Sequence, residues 1–360
     1  MSIDPPEGPS GLTPEWLTAA LHDAGHPEVA VSDVAVEAIG TGQTGCSFRV
    51  SVNFAEHTDL PSTFVAKLPA DDPSVRQRVA GGYRAEVAFY DTVAATVHVP
   101  LPRCYVSTIS EDGQAFVLLL EDLSPARQGD QIAGCSPDHA RAGAVALAGL
   151  HGPRWCDPSW HDFTATALQA ADAKQAIGLG DVARMAADLF LERLGGRMSQ
   201  EDRVTLDAYP ERTAPWLLAR PERFSLLHGD YRLDNLMFAP DDASVIVVDW
   251  QTLSVGLPAR DLAYFVSTSL PPDVRASHEH ALVAAYHAAL MAWGVRHYDL
   301  NECFADYRLG MLQAPLIATL GTAFSSTTER GDQMMLVMLE RACAAIRELD
   351  TFALIDREKA

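Results

Sequence analysis

Residues 228–251 read HGDYRLDNLMFAPDDASVIVVDWQ. Asp230, Asp234, Asn235 and Asp249 stand here beside two apolar runs, residues 236–238 and 245–248. The runs predict two short strands, and the turn formers at residues 239–244 predict a hairpin between them. Pairing Phe238 with Ile246 sets Leu236 opposite Val248 and Asn235 opposite Asp249. Directly opposed residues have Cβ atoms about 5 Å apart. An amide oxygen next to a carboxylate is a good hard-cation site and a poor arrangement without a cation. Magnesium takes one or two carboxylates, keeps waters and shares a substrate's phosphates. Asp230 lies five residues before Asn235, in the loop entering the hairpin. A carboxylate there can accept a hydrogen bond from a substrate hydroxyl and orient it for in-line attack. His228 is expected to brace this loop through backbone hydrogen bonds. Asp234 reads as a loop or surface residue, and Asp241 and Asp242 as turn formers.

The chain around this stretch has 360 residues, 48% of them hydrophobic. That suits a soluble protein of one large or two moderate domains with a sizeable core. The longest apolar runs are far too short to span a bilayer. No Lys or Arg precedes Arg49, so the start lacks the charged region of a secretory signal. The six cysteines form no Cys-x-x-Cys pair and read as free thiols in a reducing cytoplasm. A net charge of −21 argues against nucleic acid and anionic membrane as partners. It is compatible with a cationic substrate, and equally with an acidic surface that only keeps the protein soluble.

Thr13, Pro14 and Glu15 predict the start of a helix that Gly25 stops. Strands are expected at 29–39, 46–54, 62–68, 103–108 and 115–120, with one helical pattern inserted at about 75–95. The turn-rich segment SPARQGDQIAGCSPD follows as a linker or ordered loop. Ser136-Pro137 then opens a helix to Gly152, and later helical patterns cover about 181–194, 273–293 and 300–350. A sheet-rich part followed by a helix-rich part predicts an α+β chain of two lobes with a cleft between them.

Gly40, Gly42 and Gly45 lie between two predicted strands, the arrangement of a hairpin flap. Glycines at such a tip let backbone N–H groups approach phosphate oxygens; an ordinary glycine turn has the same sequence. A dinucleotide-binding loop would instead open a helix after the third glycine, which disfavours a dinucleotide-dependent oxidoreductase. Lys67 ends the apolar run STFVAK, where a lysine needs an anion or a carboxylate. Glu86 shares a helix face with Val87, Phe89 and Tyr90 and can supply that carboxylate. A lysine below a glycine flap, pinned by a helix carboxylate, can hold the α- and β-phosphates of a nucleotide.

HGDYRLDN followed by VVDWQ resembles the catalytic and metal-binding segments of the protein-kinase-like phosphotransferases. It most resembles their small-molecule branch, which includes aminoglycoside phosphotransferases and choline or ecdysteroid kinase-like proteins. LLLEDL at 118–123 and LAGLHG at 147–152 extend the resemblance in the right order. It implies a bilobal fold: an N-lobe at 1–120 with an antiparallel sheet and one inserted helix, a hinge at 121–135, and a larger, mainly helical C-lobe at 136–360. It implies that Lys67, partnered by Glu86, holds ATP, that Glu121 and Leu123 meet adenine through their backbone, and that Gly40–Gly45 covers the phosphates. Asp230 is then the catalytic aspartate, Asn235 and Asp249 hold Mg2+, and Asp261 ties down the loop.

The implied reaction is transfer of the γ-phosphoryl group of ATP to a hydroxyl of a small molecule, in the cytoplasm. The alternative is a nucleotide-binding pseudokinase with a regulatory role; the filled positions Lys67, Glu86, Asp230, Asn235 and Asp249 weigh against it. Asp249 is followed by Trp-Gln rather than Phe-Gly, and only eleven residues separate it from Asp261. That leaves no room for a peptide-docking activation segment and favours a small acceptor. The acceptor itself and the oligomeric state are not legible.

Overall fold

The computed structural model describes residues 3–39, 45–166, 172–241, 244–324 and 328–358. Helix α1 (Pro14–Asp23) starts as expected, with the Thr13 hydroxyl accepting from Trp16 N. Strands β1 (Val31–Ile39), β2 (Gly45–Phe54), β3 (Thr63–Pro69), β4 (Cys104–Ile109) and β5 (Phe116–Glu121) form one antiparallel sheet in the order β1-β2-β3-β5-β4.

Both faces of this sheet are covered. Leu17, Ala20 and Leu21 of α1 pack with Phe64, Ala66, Leu68, Val117 and Leu119. On the other face, Tyr83 and Val87 of α2 (Pro73–Ala88) pack with Phe116, Leu118 and Leu120. That two-sided burial explains why β5 is an unbroken apolar run rather than an alternating one. It also decides where Lys67 points. Ala66 and Leu68 face α1, so by strand alternation Lys67 faces α2.

Helix α2 begins at Pro73 and passes after Ala88 into a π-helical turn at Phe89–Val93. The turn-rich connector contains a short strand, β6 (Arg127–Gln128), which the sequence did not reveal. Helix α3 (Pro137–His151) follows, capped by Ser136. The helix-rich part continues with α4 (Ala173–Leu194), then α5 (Gln200–Ala208) and α6 (Pro210–Leu218), neither of which was expected.

Strand β7 (Ser225–Leu227) leads into the 228–235 loop, then β8 (Leu236–Phe238), β9 (Val245–Val247) and β10 (Ser254–Gly256). β10 pairs with β7, while β8 sits between β6 and β9. Helix α7 (Ala259–Ser269) runs through the core with every residue buried. A helix apolar or hydrogen-bonded all round belongs in such a position. It packs against α8 (Pro272–Ala292), α9 (Leu300–Leu309), α10 (Gln313–Phe324) and α11 (Glu329–Glu348), and α12 (Thr351–Glu358) packs on α6, α9 and α11. The single helical pattern expected over 300–350 is thus three helices, broken near Gly310 and after Phe324. No helix among the described residues is long and apolar enough to cross a membrane.

Candidate active site

The hairpin forms, but its register differs by one residue from the expected pairing. Phe238 pairs with Val245, Met237 with Ile246 and Leu236 with Val247. Ala239 N bonds Ser244 O at 3.0 Å, closing the turn one residue earlier than expected. Asn235 therefore stands opposite Val248, whose N–H reaches Asn235 O at 3.0 Å. Asp249 lies one residue beyond, where its backbone turns left-handed at φ 69° and leaves the strand.

What Asp249 meets there is Lys67. Lys67 Nζ lies 2.9 Å from Asp249 Oδ1 and 2.6 Å from Glu86 Oε2. Three residues remote in sequence converge on one point, as the strand and helix faces require. Glu86 is 1% exposed and also accepts from Trp250 N and Gln251 Nε2, each at 3.2 Å. The indole of Trp250 stacks on Phe89 with centroids 3.8 Å apart and planes 5° from parallel. The segment after β9 is thereby fastened to α2 through Glu86 and to the turn after it through Phe89.

Burial opposes the charge on Lys67, but Asp249 and Glu86 outweigh it and raise its pKa. Burial raises the pKa of Glu86 despite Lys67. At Asp249, burial opposes ionisation, yet Lys67 prevails and holds the carboxyl below its ordinary value.

The 228–235 loop is held from several sides. His228 N and Gly229 N donate to Asp261 at 2.7 and 3.1 Å. One His228 ring nitrogen reaches Val248 O at 3.1 Å, and the other accepts from Asp230 N at 3.3 Å. The expected bracing roles of His228 and Asp261 match these contacts. Asp230 receives Arg232, Tyr264 and the Asn235 amide. Asp234 is not a free surface group: it accepts from Gln131 N and from Arg232. Gln131, in the turn-rich segment expected to be a linker or ordered loop, is fully buried and accepts from Leu233 N at 2.8 Å.

Sequence reasoning missed Arg232, Tyr264, Gln131 and Gln251. The available signals were Arg232 between two acids and Tyr264 one helical turn after Asp261.

Gly229 holds a left-handed backbone at φ 84°, and a Cβ there would sit 2.1 Å from Thr252 O. Gly229→Ala is expected to cost about 1–3 kcal/mol in backbone strain alone, and to displace Asp230. Urea unfolding together with turnover measures both effects.

Gly45 opens β2, close to Leu68 O and to the side chains of Gln251 and Lys67. Gly40 and Gly42 lie outside the described residues. Glu121 ends β5 opposite Phe64, with its N–H on Arg103 O at 2.8 Å; Leu123 O accepts from Ala126 N.

An antiparallel sheet with one crossing helix is joined to a helical lobe that carries a His-Gly-Asp loop. The model of the phosphotransferase enzyme family matches residues 45–300, more than half the chain, and the chain belongs to that family.

The fold is similar to that of Plasmodium vivax ethanolamine kinase, with a TM-score of 0.52 at 13% identity over 86% of this chain and 82% of that one. It is similar to the GDP and kanamycin complex of APH(2")-IIia, with a TM-score of 0.50 at 15% identity over 95% of this chain and 98% of that one. Acyl-CoA dehydrogenase family member 10 of Mus musculus is 44% identical over 70 residues. That match spans 17% of this chain and 6% of the relative's length.

Proposed function

We propose that this protein transfers the γ-phosphoryl group of ATP, with Mg2+, to a hydroxyl of a small molecule. The observation that carries the reading is the meeting of Lys67, Glu86 and Asp249 beside a loop that presents Asp230. The N-lobe is taken as residues 1–120, the hinge as 121–135 and the C-lobe as 136–360, with the protein in the cytoplasm.

In this reading Lys67 holds the α- and β-phosphates, Glu86 keeps Lys67 extended, and Gly40, Gly42 and Gly45 close over the phosphates. Backbone groups of Glu121 and Leu123 receive adenine. Asp230 accepts a hydrogen bond from the acceptor hydroxyl and orients it for in-line attack.

The donors at Asn235 and Asp249 suit magnesium. Both are hard oxygen ligands. The Asn235 amide gives its hydrogens to Asp230, which leaves its oxygen for a cation. Lys67 engages Oδ1 of Asp249, which leaves Oδ2. Among the described residues no cluster of three or more His, Cys, Asp or Glu could hold an ion alone. The ion would draw its other ligands from water and phosphate, as magnesium commonly does. When bound, it supplies charge neutralisation on the phosphates.

The test is ADP release with MgATP across a library of hydroxylated metabolites and antibiotics. The expected result is release that depends on one acceptor class and on magnesium. Nucleotide binding without acceptor-dependent release across the whole library would overturn the reading in favour of a regulatory nucleotide binder.

A further inference from the structure

The Asp230 carboxylate is crowded with donors. Tyr264 OH reaches Oδ1 at 2.8 Å, and Asn235 Nδ2 reaches Oδ2 at 3.2 Å. Arg232 Nε straddles the two oxygens at 3.1 and 3.0 Å. A carboxylate offers about four acceptor positions. These donors fill them, so an incoming hydroxyl must take the place of one.

Arg232 is the donor able to yield. Its guanidinium has a second anchor, Asp234 Oδ2, at 2.7 Å, and keeps that partner when Nε lets go of Asp230. Tyr264 has no such freedom. It is 0% exposed and is packed with Ala314, Met334, Met338 and Ala342. Burial, and then the charge of Asp230, push its phenol well above the ordinary range, so it remains a donor.

Tyr264 also lies on the same helix as Asp261, one turn along, so α7 holds both the loop backbone and the acid side chain. An internal helix with every residue buried is a rigid frame for this purpose.

Resting on the reading of Asp230 given above, we propose that Tyr264 is a positioning residue for phosphoryl transfer. Its phenol holds Oδ1 of Asp230 and prevents rotation of the carboxylate while a hydroxyl replaces Arg232 Nε on it. The pair of donors that remains, Tyr264 and Asn235, fixes the direction in which Asp230 meets the acceptor.

The test uses the full chain with MgATP alone, water serving as the acceptor, and follows phosphate release under single- and multiple-turnover conditions. Tyr264→Phe keeps the ring and its packing and removes the donor. It is expected to lower kcat by about 10- to 100-fold, the scale of a small misplacement of a reacting group, with KM for MgATP unchanged. A kcat within about twofold of wild type overturns the proposal, since orientation effects of this kind exceed that. So does a loss of MgATP affinity that parallels the loss of rate, which marks a merely structural role. Asp230→Asn, run alongside, separates the two levels. If Asp230→Asn retains turnover, the reading of Asp230 fails and takes this proposal with it. If Asp230→Asn is inactive and Tyr264→Phe is normal, only the role of Tyr264 falls.

Discussion

Asp230→Asn is expected to lower kcat by about 10²- to 10⁴-fold, the usual contribution of a positioned acid–base group, and to leave the fold intact. The amide keeps the size of the carboxylate and an oxygen for Tyr264 and Arg232. Arg232 retains Asp234 as its charged partner, so the substitution strands no buried cation. The backbone of the loop is held by other atoms, namely the Asp261 carboxylate on His228 N and Gly229 N, and Gln313 Nε2 on Gly229 O at 3.0 Å. What is lost is the anionic acceptor proposed to face the attacking hydroxyl. Steady-state kinetics with the acceptor found by the ADP-release screen, paired with thermal unfolding, checks both parts. Near-full turnover in this variant removes Asp230 from the mechanism.

Lys67→Met is expected to destabilise the protein by about 3–5 kcal/mol, because it breaks a buried ion pair by removing one member. Glu86 is then left 1% exposed, with Trp250 N and Gln251 Nε2 as donors but no cation. Asp249 loses the same partner, and with it the interaction that holds its carboxyl below its ordinary value. Nucleotide binding is expected to be lost as well, since the ammonium is the group proposed to hold the phosphates. The double variant Lys67→Met/Glu86→Gln separates these effects. With no charge left unpaired at Glu86, stability recovers in part, while nucleotide binding stays lost. Urea unfolding of the single and double variants, and a nucleotide titration of the double variant, measure the two. Additive losses in the cycle mean that Lys67 and Glu86 are not energetically coupled.

Several parts of the fold were legible because they depend on neighbours in sequence. Thr13 and Ser136 cap the helices they precede, and the first five strands occur where alternation and apolar runs place them. The Lys67–Glu86 pairing was legible for a similar reason. A lysine inside an apolar strand and a glutamate on an apolar helix face each need a partner, and each is the other's natural one.

The hairpin register was not legible. Val245, Ile246, Val247 and Val248 are all apolar, so no alternation says which of them face inward. The fold selects the register that sets Leu236 against Val247 and Phe238 against Val245, all four buried, and leaves Met237 and Ile246 half-buried. A slip of one residue exchanges the two faces, and here packing decides between them.

Helices α5 and α6 escaped detection because each is nine residues long and α6 contains Pro215. Short helices of this kind hold by tertiary packing rather than by intrinsic preference.

By itself the sequence determined the first five strands, the capped helices and the kinds of side chain that chemistry needs: an acid in a loop, an amide and an acid around a hairpin, a lysine awaiting an anion. Only the tertiary structure decided how they aim. Asp249 reaches Lys67 through a left-handed residue beyond the ladder, and Asp230 is framed by Arg232 and by Tyr264 from an internal helix. The reason is the range of the forces involved. Helix caps and strand alternation act between near neighbours along the chain. The direction of a polar side chain in a cleft is set by partners tens to hundreds of residues away, brought close only when the core closes.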